Sequence, residues 1–147
     1  MSSQDFSTTI EIDRPPAEVF DAINDPRSWW SDAVSGATDD IGDQFVFDGA
    51  DHHTWTFRIV ELAPGERVVW HVTDSTMNWV QDRNEWTGTE VRFELTEIPT
   101  GTRLRFVHAG LTPLLECFEG CSRGWTGYIT DSLPRLVTTG RGRPGVY

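Results

Sequence analysis

A chain of 147 residues with 37% hydrophobic and 24% charged side chains has the length and balance of one folded domain, not of a disordered segment. Its net charge of −11, with 12 basic residues that are all arginine, opposes nucleic acid and anionic membrane as partners, and the absence of lysine removes Schiff-base chemistry. No apolar run approaches the roughly 20 residues of a membrane helix, and the start of the chain lacks a signal-peptide pattern, so the expected location is the cytoplasm without membrane insertion.

Phe6 to Ile12 alternates and predicts a strand. Asp13 then reads as a helix N-cap, with Pro15 and Pro16 in the first turn, where a missing N–H is harmless. Val19, Phe20 and Ile23 form the stripe of a short helix that stops before Pro26. A second short helix carries Trp29 and Trp30, followed by a loop rich in Asp, Ser and Gly.

From about Ile41 the period becomes two. Phe45 and Phe47 share a face, as do Trp55, Phe57 and Ile59, then Val68, Trp70 and Val72, then Val91, Phe93 and Leu95, then Leu104, Phe106 and His108. Asp48-Gly49, Pro64-Gly65, Thr87-Gly88 and Pro99-Thr100-Gly101 supply the turns. Charged residues on the other face (Arg58, Glu90, Arg92, Glu94, Arg103, Arg105) imply an antiparallel meander with one wet side. Asp74 to Glu85 reads as a further strand, with a loop over the sheet as the alternative.

After Gly110 and Pro113 the period is helical, with Cys117, Cys121, Trp125, Tyr128 or Ile129, Ser132 and Leu136 along one face. Pro134 should kink this helix late in its course, because its ring displaces a backbone hydrogen bond to Thr130. The Gly/Arg/Pro-rich end, from about residue 140, is expected to be flexible. The fold class is therefore α+β, one domain over residues 1–147: two short helices after the first strand, then a sheet of six to seven strands wrapped around a long C-terminal helix.

Thr9-Ile10-Glu11-Ile12, Pro15-Pro16-Ala17-Glu18-Val19-Phe20-Asp21-Ala22-Ile23 and Trp29-Trp30 resemble the N-terminal signature of the START-like (SRPBCC) superfamily. Its branch named after the activator of the heat-shock-protein-90 ATPase is the most similar. Trp86-Thr87-Gly88-Thr89, His108-Ala109-Gly110-Leu111 and Gly124-Trp125-Thr126-Gly127-Tyr128 extend the resemblance over roughly residues 6–140. It implies the helix-grip fold, in agreement with the order of elements above. Functions in the superfamily range from lipid carriers to polyketide cyclases and co-chaperones, so fold alone does not select one.

Seven Trp and eight Phe are more rigid apolar surface than a core of this size ordinarily uses. Trp55, Trp70, Trp79, Phe93, Phe106, Trp125 and Tyr128 are the expected lining of a cup for a small apolar ligand, with His108, Tyr128 and Ser132 as its orienting polar groups. The competing reading is a packed core with no cavity. A cyclase, dehydratase or hydrolase would use His108 as acid or base and Tyr128 to polarise a carbonyl. A chaperone-interacting module is the third possibility. Gly120-Cys121-Ser122-Arg123-Gly124 has the spacing of a nucleophile elbow, but it falls within a predicted helix and follows no parallel strand. Cys117 and Cys121, one turn apart, read as small packing thiols, and no metal-ligand spacing accompanies them. No cofactor is expected, and the chain is expected as a monomer or homodimer.

Overall fold

The computed structural model describes residues 5–48, 54–77, 81 and 85–147. The elements run β1 (Phe6–Ile12), α1 (Pro16–Ile23), α2 (Pro26–Trp29), β2 (Val34–Gly36), β3 (Gln44–Asp48), β4 (Thr54–Ala63), β5 (Arg67–Thr76), β6 (Glu90–Ile98), β7 (Gly101–Ala109), α3 (Phe118–Gly127), a π-helical turn (Tyr128–Ser132) and α4 (Leu133–Thr139). The seven strands form one antiparallel sheet in the order β1-β7-β6-β5-β4-β3-β2. It is the curved sheet and C-terminal helix of the helix-grip fold.

The alternation that predicted the strands is the alternation of burial. Trp55, Phe57 and Ile59 on β4, Val68, Trp70 and Val72 on β5, and Leu104, Phe106 and His108 on β7 all point inward. The wet face carries a charge ladder across four strands, Glu61–Arg67–Glu94–Arg105, at 3.0, 3.2 and 3.1 Å. Arg67 lies opposite Glu94, and Glu94 opposite Arg105, so register itself places the pairs. Exposed pairs of this kind contribute little each, so the ladder fixes register more than it adds stability.

Four local expectations are revised. Helix α1 begins at Pro16 with Pro15 as its N-cap and no capping side chain, so Asp13 is not the cap. A residue before proline is pushed out of the helical region, and Pro15 is accordingly extended (φ −64°, ψ 153°). The Asp/Ser/Gly loop contains the edge strand β2, too short at three residues to show a period. In the segment Asp74 to Glu85, the first three residues complete β5; residues 78–80 and 82–84 lie outside the described residues, and Glu85 is already in a turn. The C-terminal helix accommodates Pro134 in the first turn of α4, after a π turn in which the Leu133 N–H donates to the carbonyl of Tyr128, five residues back.

Gly140 ends α4 in the left-handed region (φ +83°), a conformation that glycine adopts without strain. The following segment, residues 140–147, returns over the helix. Arg143 N–H donates to Ser132 Oγ at 2.7 Å, Gly145 N–H to the Trp30 carbonyl at 2.8 Å and Tyr147 N–H to Tyr128 Oη at 3.2 Å. Among the described residues, no helix is long and apolar enough to cross a membrane.

Candidate functional site

The aromatic residues divide into a packed interior and a cleft. Trp70, Phe93 and Phe106 belong to the interior and are fully buried. Trp70 meets Phe93 edge-on at 4.9 Å between ring centroids, and Phe93 meets Phe106 at 5.2 Å. None of the three borders the cleft.

The cleft, of about 450 Å³, opens between α3 and the β3–β4 hairpin. Its aromatic walls are Trp30, Phe47, Trp55, Trp86, Trp125, Tyr128 and Tyr147, and α3 adds Gly120, Cys121, Arg123 and Gly124. Four indoles form a closed circuit. Trp30 stacks on Trp55 at 6.2 Å, Trp55 on Trp86 at 4.3 Å, Trp86 on Trp125 at 5.9 Å, and Trp125 returns to Trp30 at 5.2 Å. Their interplanar angles run from 12 to 30°. Each ring is largely buried by its neighbours, which fixes it before any ligand arrives.

Each indole is held by its own element. Trp55 is an inward position of β4, and Trp125 is on the buried face of α3. Trp30 follows α2, which is tied to β2 where Arg27 donates to the Val34 carbonyl at 2.9 Å and also to that of Gly36. Trp86 sits in a tight turn closed by Thr89, whose N–H and hydroxyl both donate to the Trp86 carbonyl. The neighbouring Glu85 carboxylate accepts from the N–H groups of Glu116 and Cys117 at 2.8 and 3.1 Å. It therefore ties the turn that leads into α3 and lies at the positive end of that helix. Glu85→Ala is expected to lower stability by about 1 kcal/mol, read from the urea unfolding midpoint, and Glu85→Gln by less, because an amide oxygen still accepts.

The three polar groups expected to orient a ligand are occupied within the protein. His108 is fully buried; the Trp125 indole N–H donates to its Nδ1 at 3.0 Å, and its Nε2 lies 2.8 Å from Thr89 Oγ1. Because Nδ1 accepts, the proton of the neutral ring is on Nε2 and is donated to Thr89, whose own proton goes to the Trp86 carbonyl. Burial pushes the imidazole pKa down to about 3, against the opposing charge of Asp5, so the ring is neutral. Ser132 Oγ donates to the Trp29 carbonyl at 2.6 Å. Tyr128 Oη donates to the Tyr147 carbonyl at 3.0 Å, and burial raises its pKa.

Of the nine expected site residues, Trp55, Trp125 and Tyr128 therefore come together at the cleft. Trp70, Phe93, Phe106, His108 and Ser132 lie behind it, and Trp79 is outside the described residues. Trp30, Phe47, Trp86 and Tyr147 were not expected there. Trp86 lies in a turn, where no period reveals direction, although a tryptophan beside Thr87-Gly88 was itself a signal.

Cys121 borders the cleft and Cys117 is buried; neither forms a disulfide. A hydrogen bond to the Cys117 sulfur and burial raise the Cys121 pKa, so its thiol is neutral and weakly nucleophilic. Ser122 lies within α3, so the Gly-x-Ser-x-Gly spacing belongs to a helix and lacks the strand-to-turn geometry of an elbow. Among the described residues, no group of three or more His, Cys, Asp or Glu has metal-binding geometry.

The solved structure of the Aha1 dimer from Colwellia psychrerythraea is similar over 94% of this chain and 98% of its own, with TM-score 0.77 and 22% identity. MLL2253 from Mesorhizobium loti matches over 90% and 95% (TM-score 0.72, 19% identity), and SSP2350 from Staphylococcus saprophyticus over 95% of both chains (TM-score 0.69, 16% identity). At these identities the likeness is one of fold. No curated protein matches the sequence. A family profile matches residues 13–138, nearly the whole described fold, and on that match the chain belongs to the activator of Hsp90 ATPase homolog 1-like proteins.

Proposed function

We propose that the protein binds a small apolar molecule, aromatic or lipid-like, in the cleft between α3 and the β3–β4 hairpin. The carrying observation is the closed circuit of four indoles bordering a cleft of about 450 Å³. That volume is in the range of small-molecule sites, which combine aromatic walls with few polar groups. Catalysis by His108 and Tyr128 has less support: one is buried and neutral behind the wall, and the other's hydroxyl is engaged by the chain itself. A chaperone partner is suggested by the family name alone, and co-purification is its test. In this reading the protein acts in the cytoplasm as a monomer or homodimer; light scattering after size exclusion separates the two.

Titration with the neutral dye phenylnaphthylamine is expected to give saturable, one-to-one changes in tryptophan and dye emission. Trp55→Ala should weaken the dye about threefold to tenfold, the worth of one aromatic contact. An absence of saturable change with apolar dyes would remove the reading.

A further inference from the structure

Gly120 and Gly124 are one turn apart on α3, both bordering the cleft, and packing explains neither. A Cβ built on either meets no atom within 4 Å, whereas one on Gly127 would overlap the Tyr147 ring. Neither has the positive φ that demands glycine. Glycine inside a helix is unfavourable relative to alanine, so two at open positions weaken α3 without serving the fold. Their effect is on the cleft, where they leave a strip of helix backbone bare opposite aromatic walls. Arg123 projects from the same helix region. Among the described side chains lining the cleft it alone carries a charge at neutral pH, and no described carboxylate side chain lies within ion-pair distance of it. Positions 120, 123 and 124 fall on neighbouring faces of one turn.

Building on the reading of the cleft as a small-molecule site, we propose that its ligand is a fused-ring anion. The ring lies against the bare Gly120–Gly124 backbone and the indoles, and the negative group lies beside the Arg123 guanidinium. A flat ring gains dispersion contact by close approach to backbone, which one methyl on either glycine would hold away. An exposed guanidinium adds a modest, salt-sensitive attraction and selects the sign of the charge.

The test uses anilinonaphthalene sulfonate and phenylnaphthylamine, which share a ring system and differ in the sulfonate. Both are expected to bind the unaltered protein. Gly120→Ala and Gly124→Ala should each raise Tm by about 3 °C and weaken both probes on the order of tenfold. Arg123→Gln should weaken the sulfonate about threefold and leave the neutral amine unchanged. Unchanged affinities in the alanine variants, or a lowered Tm, would overturn the role of the glycines. Equal effects of Arg123→Gln on the two probes would overturn the anion. Failure of both probes to bind the unaltered protein removes the cleft reading itself and this inference with it, an outcome distinct from binding that ignores the substitutions.

Discussion

Trp70→Ala is expected to lower the stability of the protein by about 3–5 kcal/mol while leaving the dye affinity of the folded molecules unchanged. The indole is 1% exposed and sits where five rings converge, with Trp29, Trp30, Phe45, Phe57 and Phe93 all within 6.3 Å of it between centroids. A close-packed interior relaxes only partly around a lost indole, so the cavity adds to the lost transfer free energy. Urea denaturation followed by circular dichroism reads the stability, and titration well below the midpoint reads the dye. Trp55→Ala, at the cleft, should show the inverse: a smaller loss of stability and weaker binding. A stable Trp70 variant that no longer binds dye would place the ligand in the interior, where the strand pattern alone had put it.

The second large effect is on pH dependence. His108 titrates at about 3 in the folded chain and near 6.5 when unfolded, because burial disfavours the imidazolium. Above pH 6.5 neither state binds the proton, and this contribution to stability is fully present. As pH falls below 6.5 the unfolded chain takes up a proton that the folded chain refuses, so stability drops by about 1.4 kcal/mol per pH unit. The loss reaches on the order of 4 kcal/mol by pH 3. His108→Gln should flatten the dependence between about pH 6.5 and 5, before carboxylates with ordinary values near 4 take up protons. Unfolding free energies at several pH values, compared between the two proteins, check this. Equal slopes would mean that His108 is protonated in the folded state, and acid–base chemistry at His108 would return as a reading.

The sheet was legible because its two sides face different media. Where Arg92, Glu94, Arg103 and Arg105 meet water and Val91, Phe93, Leu104 and Phe106 meet the helix, period two is unavoidable. The short edge strand β2 and the true start of α1 were not legible. One has three residues, and the other is set by a proline–proline step that overrides a good capping residue upstream. The site was half legible for a related reason. Periodicity says that Trp70 and Trp55 both point inward; it does not say that one meets five rings and the other the rim of a cleft. That difference depends on where α3 crosses the sheet, and on residues from a turn and the chain's last segment, Trp86 and Tyr147. His108 was placed correctly on the inward face, yet its partners, Trp125 and Thr89, come from elements 17 and 19 residues away.

The pairing of β1 with β7 has a consequence for how the chain reaches this fold. Phe6 lies opposite His108, so the two strands that meet are separated by about 100 residues of sequence. Closing so long a loop forfeits chain entropy that only the finished pairing returns, so this one pairing is expected to form late. The meander from β3 to β7 consists of neighbours in sequence and can assemble ahead of that closure. Until then β7 presents an open edge to any other strand, so dilute conditions should favour clean refolding.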